Sequence, residues 1–250
     1  APPPRVFERV QERPRVVIAG AGPAGLFCAL RLLDYGFEPV IFERGKKVEE
    51  RAADVEKFCA TGVLDPDSNV QFGEGGAGAF SDGKLNTQTN DARNRDVLET
   101  FVRFGAPEEV AYLGKPHVGS DRLKQVVAAM RREIEARGGS FRFGEQITDV
   151  RIRDGRIHEI VTGSGVFPCE TLVLAIGHSA RDTFEMLLSR GFVMQQKEFA
   201  VGVRIEHLQS AIGRAQYGTG YAALPAADYK LVSHASERAV FTFCMCPGGV

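Results

Sequence analysis

The sequence predicts an α/β protein built around a parallel β-sheet. Residues 15–19 form a short apolar, largely β-branched run that ends at a glycine, which is typical of a buried strand. Residues 24–35 place apolar side chains on one face of a predicted helix that ends at Gly36. Residues 39–43 form a second apolar strand. This strand–helix–strand order requires the two strands to be parallel and to be covered on both faces.

The composition is that of an ordinary globular protein. The chain has 250 residues, of which 44% are hydrophobic and 25% are charged, and its formal net charge is −1. Because this balance produces no overall positive field, we expect no nucleic-acid partner. The most apolar stretch, residues 16–30, is too short for a membrane span and is interrupted by glycines. The five scattered cysteines form no C-x-x-C pair, so we expect no disulfide framework, no zinc site and a cytoplasmic location.

Further elements follow in chain order. Residues 46–60 are predicted to form a charged surface helix, and residues 73–83 are rich in glycine. An amphipathic helix is predicted over residues 121–137, with Ser120 as its cap and Gly138 as its end. Further strands are predicted over residues 140–143, 147–152, 156–162, 171–176, 200–205, 230–234 and 239–244.

The first glycine-rich turn has the form G-x-G-x-x-G in the strand–turn–helix context that binds dinucleotides. Gly20 permits the tight turn, Gly22 lets the backbone approach a pyrophosphate, and Gly25 lets helix and strand pack closely. The start of the helix presents free N–H groups to the phosphates. Glu43, at the end of the second strand, is predicted to accept hydrogen bonds from a ribose. The predicted dinucleotide site consists of Gly20, Ala21, Gly22, Pro23, Ala24, Gly25 and Glu43.

Arg44 directly follows this glutamate and has two interpretations. It either contacts the adenine ring or a phosphate of the ligand, or it is a solvated surface charge. A carboxylate at position 43 disfavours a 2′-phosphate, so we do not expect NADP to be the nucleotide at this site.

Other candidate sites are weaker. Residues 65–69 begin like a calcium loop, but Val70 and Gly76 stand where that loop needs glycine and glutamate. The five histidines show no metal-ligand spacing, so no metal site is predicted. Cys244 and Cys246 would share one face of a strand, where they are either a redox pair or, as we favour, buried core residues.

Several strings resemble one family of flavoproteins. The strand–helix–strand unit with GAGPAGL resembles the FAD-binding domain of the glutathione-reductase-type flavoprotein superfamily. Four further strings are similar to its FAD-dependent (NAD/FAD-utilising) dehydrogenases, and the likeness covers nearly the whole chain. These strings are VEERAADVEKFCATGVLDPDSNVQFGEGGAGAFSDGKL, KPHVGSDRL, LVLAIGHSARDTFEML and FCMCPGG.

This resemblance implies a Rossmann-like FAD-binding domain with a helical insertion and a flavin-dependent oxidoreduction. In such proteins a glycine-rich loop after the second strand lies against the FAD. Ile176 replaces a threonine of the superfamily pattern, which removes a hydroxyl there, and Cys59 stands alone, which disfavours disulfide reduction. The additional FAD contacts that the resemblance implies are Gly75, Gly76, Ala77, Ser81, Asp82, Ile147, Ala175 and Gly177.

The resemblance also implies a domain organisation. We expect an FAD-binding domain over residues 13–179, with a helical excursion over residues 44–119, followed by the start of an α+β substrate domain over residues 180–250. We further expect this chain to be a fragment that holds FAD poorly. It lacks an initiator Met, stops within a family-like string and contains no Gly-Asp dipeptide, which the superfamily uses to hold the ribitol chain.

The predicted activity is hydride transfer between a small-molecule substrate and an acceptor, with NAD(P)H as a candidate electron donor. Two other functions stay open: an NAD-only dehydrogenase, and a non-catalytic module in which FAD or NAD is a structural or sensory ligand. The sequence assigns no catalytic acid or base, no substrate and no oligomeric state.

Overall fold

A computed structural model describes residues 7–80, 83, 85, 89–112, 118–235, 237–242, 245 and 247. Its strands are β1 (Arg15–Ala19), β2 (Glu38–Glu43), β3 (Ser140–Phe143), β4 (Ile147–Arg153), β5 (Arg156–Thr162), β6 (Gly165–Pro168), β7 (Leu172–Leu174), β8 (Val232–Ser233) and β9 (Val240–Phe241). Its α-helices are α1 (Pro23–Asp34), α2 (Val48–Thr61), α3 (Arg93–Arg103), α4 (Ser120–Ala136), α5 (Arg181–Ser189) and α6 (Gln209–Tyr217). Short 3-10 turns cover Ala77–Phe80, Glu108–Ala111 and Gly218–Ala223.

The central sheet consists of four parallel strands in the order β3-β2-β1-β7. Ile18 of β1 pairs with Ile41 of β2 on one side and with Val173 of β7 on the other. The chain adds β2 and β3 to one side of β1 before β7 joins the other side. Strand β1 therefore stands at a topological switch point, where open parallel sheets leave a crevice at their carboxyl ends. The predicted α/β fold with a Rossmann-type parallel sheet is confirmed.

Alternate residues of β1 face two different layers, which buries the sheet on both sides. Ile18 packs in a cluster with Leu26 of α1 and with Val126 of α4. Val17 packs in a second cluster that includes Leu187 of α5 and residues of the antiparallel sheet β4-β5-β6. The helix face predicted for α4 is buried as expected; it consists of Leu123, Val126, Val127, Met130 and Ile134.

Some boundaries differ from the sequence predictions. Helix α4 begins at Ser120 and its N-cap is Gly119, so Ser120 is not the cap that the sequence predicts. The strand predicted over residues 171–176 forms only over Leu172–Leu174. Helix α3 lies within the helical excursion predicted over residues 44–119, although its bounds were not predicted. Helices α5 and α6 and strand β6 were not predicted. No helix among the described residues is long and apolar enough to cross a bilayer.

The chain divides into two units, residues 1–194 and residues 195–250. Helix α5 belongs to the first unit and contacts β4, whereas the sequence predicts a domain boundary near residue 180. The assignment of the two units to a cofactor domain and a substrate domain stays a prediction.

Within the second unit, the strand predicted over residues 200–205 is not formed. The alternating side chains of Phe199, Val201 and Val203 are 74%, 83% and 86% exposed. An apolar strand needs neighbouring strands that pair with its backbone and cover its side chains, and the described residues supply none here. Of the strands predicted over residues 230–234 and 239–244, the described residues form β8 and β9, which pair with each other. Cys244 and Cys246 lie outside the described residues.

Candidate dinucleotide-binding site

A cavity of about 530 Å³ lies at the carboxyl ends of β1, β2 and β7, at the switch point of the sheet. Its size is within the range of small-molecule and cofactor sites. Ala21, Gly25 and Gly75 are buried without lining it, and Ser81 and Asp82 lie outside the described residues. The predicted site residues that line the cavity are Gly20, Gly22, Pro23, Ala24, Glu43, Arg44, Gly76, Ala77, Ile147, Ala175 and Gly177.

The three glycines of the first turn have different structural roles. Gly20 has a φ of +104°, and a Cβ there would lie 2.4 Å from the carbonyl oxygen of Ala175. A Cβ on Gly25 would lie 2.0 Å from the carbonyl oxygen of Gly20. A Cβ on Gly22 would have the Cα of Gly76 as its nearest neighbour, at 3.7 Å, which is an ordinary contact. Gly20 and Gly25 are therefore required by the fold, whereas Gly22 leaves space that belongs to the cavity.

Helix α1 begins directly after this turn. Gly22 is its N-cap and Pro23 occupies its first turn, where the missing N–H of proline costs no helical hydrogen bond. No side chain caps this helix end. The remaining N–H groups of the first turn have no partner within the helix, and they carry the positive end of the helix dipole. The cavity wall at this point is therefore suited to an anion such as a pyrophosphate.

Glu43 holds three backbone segments together. It is 5% exposed, and its Oε2 accepts a hydrogen bond from the N–H of Ala21 at 2.7 Å. Its Oε1 accepts from the N–H of Gly45 at 2.9 Å and from the N–H of Gly73 at 3.0 Å. A carboxylate has about four lone-pair sites, so these bonds leave roughly one acceptor site on Oε2. The predicted hydrogen bond to a ribose stays a prediction, and the bond to Ala21 is one that the sequence did not reveal.

The second glycine-rich loop lies directly against the first. The N–H of Gly75 donates to the carbonyl oxygen of Ala21 at 2.9 Å. Gly76 has a φ of +60°, and a Cβ there would lie 3.2 Å from the Cα of Gly22. Because both segments lack side chains at this contact, backbone atoms form the wall of the cavity between them.

Arg51 is the buried residue that shapes this second loop, and the sequence did not reveal its role. It is fully buried, and its Nε donates to the carbonyl oxygen of Asn69 at 2.7 Å. Its Nη1 donates to the carbonyl oxygens of Glu74 at 2.7 Å and Gly76 at 2.8 Å. Burial lowers the pKa of Arg51 to about 10, against the opposing effect of the nearby glutamates. The guanidinium therefore stays charged at neutral pH and fixes the path of the loop.

A second buried cation anchors the same loop to α4. Glu74 is fully buried, and its Oε1 accepts from Nε of Arg131 at 2.8 Å. Its Oε2 accepts from the N–H of Val48 at the start of α2, at 2.8 Å. Burial raises the pKa of Glu74, although these hydrogen bonds and the charge of Arg131 act in the opposite direction. Arg131 also donates to Glu49 at 2.6 Å, so one arginine joins the loop, α2 and α4.

The spacing of residues in α2 contains one sequence signal for the buried role of Arg51. Val48 and Arg51 are three residues apart in α2 and are its buried residues. An arginine on the apolar face of a helix, followed by a glycine-rich loop rich in free carbonyls, indicates a buried cation that binds backbone oxygens. The charged composition of residues 46–60 instead predicts a surface helix. This prediction is wrong for the helix face that carries Val48 and Arg51.

Arg44 is paired and is not a freely solvated charge. Its Nη2 donates to both carboxylate oxygens of Asp182, each at 2.8 Å, and its side chain is 11% exposed. Its Cζ lies 4.3 Å from the centre of the Phe72 ring. Arg44 and Phe72 line the cavity, whereas Asp182, in the first turn of α5, is not among the lining residues. Contact of Arg44 with a ligand stays a prediction.

The segment that enters β4 forms another part of the cavity wall. Glu145 and Ile147 line it, and the N–H of Glu145 donates to the carbonyl oxygen of Glu43 at 3.0 Å. Oε2 of Glu145 is buried and has no hydrogen-bond partner among the described residues. The hydroxyl groups of Ser164 and Thr162 hold the pKa of Glu145 below its usual value. Glu145 therefore contributes an ionised carboxylate to the residues that line the cavity.

Two comparisons concern the sequence. Residues 198–250 match a family described as FAD-dependent protein, C-terminal domain-like. An uncharacterized protein of Clostridium beijerinckii is 49% identical over 247 residues, which cover 97% of this chain and 46% of that relative. The chain therefore spans about half the length of this relative.

Comparison with solved structures finds distant likenesses, from which no functional conclusion follows. The THI4 protein of Thermovibrio ammonificans is 19% identical with a TM-score of 0.45, covering 72% of this chain and 64% of that chain. Glycine oxidase from Bacillus cereus is 16% identical with a TM-score of 0.37, and the match covers 71% of this chain and 58% of that chain. L-amino acid deaminase from Proteus vulgaris is 14% identical with a TM-score of 0.35, and the match covers 68% of this chain and 48% of that chain.

Proposed function

We propose that this chain provides the FAD-binding part of a flavin-dependent oxidoreductase. The observation that carries the proposal is the contact between two glycine-rich segments, at Gly22 and Gly76, on the wall of the switch-point cavity. A dinucleotide needs close backbone approach at its pyrophosphate, and this wall provides it beside a helix N-terminus. The match of residues 198–250 to a family of FAD-dependent proteins supports FAD as the dinucleotide.

The described residues fit the separate parts of this cofactor. The N-terminus of α1 at Gly22 fits the pyrophosphate because its N–H groups are free of helical partners. Glu43 retains acceptor capacity for a ribose hydroxyl. Glu145, which also lines the cavity, is a candidate acceptor for an exocyclic amine such as that of adenine. Ala175 and Gly177, which follow β7, line the same cavity and are candidates for contact with the rest of the cofactor.

When bound, FAD supplies the capacity to accept a hydride and pass it on. The residues of this chain bind and orient the cofactor, and apolar side chains such as Phe42, Ile147 and Ile176 keep water from part of the cavity wall. We assign no catalytic acid or base. NAD(P)H as electron donor and a small-molecule substrate belong to this proposal. A reducing, cytoplasmic setting also belongs to it and agrees with the free thiols of Cys28, Cys59 and Cys169.

The test is a titration of the purified chain with FAD, followed by flavin fluorescence, with Gly22→Val as the matched variant. We expect saturable binding to the wild-type chain and its loss in the variant, while circular dichroism stays unchanged. Anaerobic addition of NADH or NADPH to the loaded protein then tests reduction of the flavin. Tighter binding of NAD than of FAD would favour the NAD-only dehydrogenase. Equal binding of FAD by the wild-type chain and by Gly22→Val would overturn the proposed site.

A further inference from the structure

The pairing of Arg44 with Asp182 joins the end of β2 to the first turn of α5. Nη2 of Arg44 lies 2.8 Å from each carboxylate oxygen of Asp182. The arginine side chain is 11% exposed and the aspartate side chain is 53% exposed, so the pair is covered on the arginine side. Such a charge-assisted contact neutralises the guanidinium at the cavity wall.

Other groups hold Asp182 in place. Nε2 of Gln146 donates to Oδ2 at 2.8 Å, and the N–H of Thr183 donates to Oδ1 at 2.8 Å. Although burial acts in the opposite direction, the hydrogen bonds from Arg44 and Gln146 hold the pKa of Asp182 below its usual value. The carboxylate therefore stays ionised at neutral pH and keeps its hold on the arginine.

The position of this arginine matters for nucleotide selection. In dinucleotide sites, the acidic residue after the second strand binds the ribose, and a nearby arginine accommodates the 2′-phosphate of NADP. Glu43 and Arg44 occupy that region and line the same cavity. The arginine is thus correctly placed for a 2′-phosphate, but its charge is already neutralised by a residue that does not line the cavity.

We propose that Asp182 is a specificity-determining positioning residue that makes the site prefer adenine nucleotides without a 2′-phosphate. It acts through Arg44: the aspartate holds the guanidinium against Phe72 and neutralises it, so that the arginine offers no free positive charge to an incoming phosphate. This inference rests on the proposed function, because it concerns selection by the same cavity.

The test uses two probes that differ only in the group concerned, ADP-ribose and 2′-phospho-ADP-ribose, titrated by isothermal calorimetry. The wild-type chain should bind ADP-ribose more tightly. Asp182→Asn should shift the ratio of the two dissociation constants toward the phosphorylated probe by about tenfold, the size of one additional charge-assisted hydrogen bond. Asp182→Glu keeps the charge and should keep the wild-type preference.

Two further variants separate this role from a structural one. Asp149→Asn removes a carboxylate from another ion pair that involves α5. Asp149 lies in β4 and binds Arg190 at the end of α5, and neither residue lines the cavity. This variant should leave the ratio unchanged. In an Arg44→Gln background, Asp182→Asn should have no effect on the ratio, because the arginine through which it acts is gone.

The outcomes distinguish the two proposals. If the wild-type chain binds neither probe, the proposed dinucleotide site is wrong and this inference falls with it. If ADP-ribose binds but Asp182→Asn leaves the ratio unchanged, only the inference is overturned. The inference is likewise overturned if Asp149→Asn shifts the ratio equally or if the shift persists without Arg44.

Discussion

Nε of Arg131 donates to Oε1 of Glu74 across 2.8 Å, and this buried pair ties α4 to the glycine-rich loop beside the cavity. Glu74 is 0% exposed and Arg131 is 8% exposed. Each residue also has a second partner, so the pair belongs to a small network beneath the loop. The loop is rich in glycine, which has high conformational freedom, and this network restricts the conformations that the loop can adopt.

We expect Arg131→Met to destabilise the fold by about 3–5 kcal/mol, because it leaves the charge of Glu74 buried without its cation. Urea denaturation followed by circular dichroism measures the free energy of unfolding. The double variant Arg131→Met/Glu74→Gln should recover a large part of the loss, since the glutamine can still accept the N–H of Val48. A double variant as unstable as the single one would show that the charge pair is not the cause.

The same pair predicts a pH dependence with a definite sign. Burial raises the pKa of Glu74 above 4.5, so the folded state holds the proton more tightly than the unfolded state does. The contribution of this group to stability is therefore greatest below pH 4.5 and declines as the pH rises through the raised value. Removing Arg131 should steepen this decline. Denaturation of Arg131→Met at several pH values measures it, and Glu74→Gln, which lacks this carboxyl group, gives the pH dependence of the remaining groups for comparison.

Gly22→Val should leave a folded protein that no longer binds its dinucleotide. The backbone at Gly22 is extended, with φ −72° and ψ −178°, and a Cβ there meets only an ordinary contact. The branched side chain would occupy the space next to the N–H groups of α1. Losing roughly two charge-assisted hydrogen bonds, at about 1.5–3 kcal/mol each, weakens binding by at least about a hundredfold. Titration with FAD or ADP-ribose tests this.

Gly25→Ala is the contrasting variant. Its Cβ would lie 2.0 Å from the carbonyl oxygen of Gly20, so we expect loss of folded protein together with binding. Thermal denaturation separates the two results. A Gly25→Ala protein as stable as the wild type would contradict the close packing of α1 on the turn.

Glu43→Gln should lower the free energy of unfolding by about 1–3 kcal/mol, the cost of leaving a buried donor unsatisfied. Only one oxygen remains in the amide, while three backbone N–H groups need acceptors. Glu38→Gln is the matched control in the same strand, because the Glu38 side chain forms an exposed 3.5 Å contact with Arg15. Urea denaturation of both variants gives the comparison, and equal stabilities would remove Glu43 from its structural role.

Local patterns predicted the first part of the fold well. The apolar runs of β1 and β2 and the apolar face of α4 follow from side-chain periodicity, and the structure buries them as expected. Periodicity failed over residues 200–205, where the alternation of a strand is present but no strand is formed. Whether such a segment forms a strand depends on pairing partners distant in the sequence, and periodicity carries no information about them.

The sequence by itself determined the parallel strand–helix–strand unit and the glycine positions of the first turn, because these depend on contacts between neighbouring residues and on backbone conformation. Only the tertiary structure decided how distant charges are paired. Arg51 belonged to a helix predicted to lie on the surface, and the sequence assigned no role to Glu74. The fold brings backbone carbonyls to Arg51 and brings Arg131 to Glu74. Arg44 had two equally good interpretations until α5 placed Asp182 beside it. The partner of a charged side chain is set by the fold, since electrostatic pairing requires proximity in space and leaves no periodic trace along the chain.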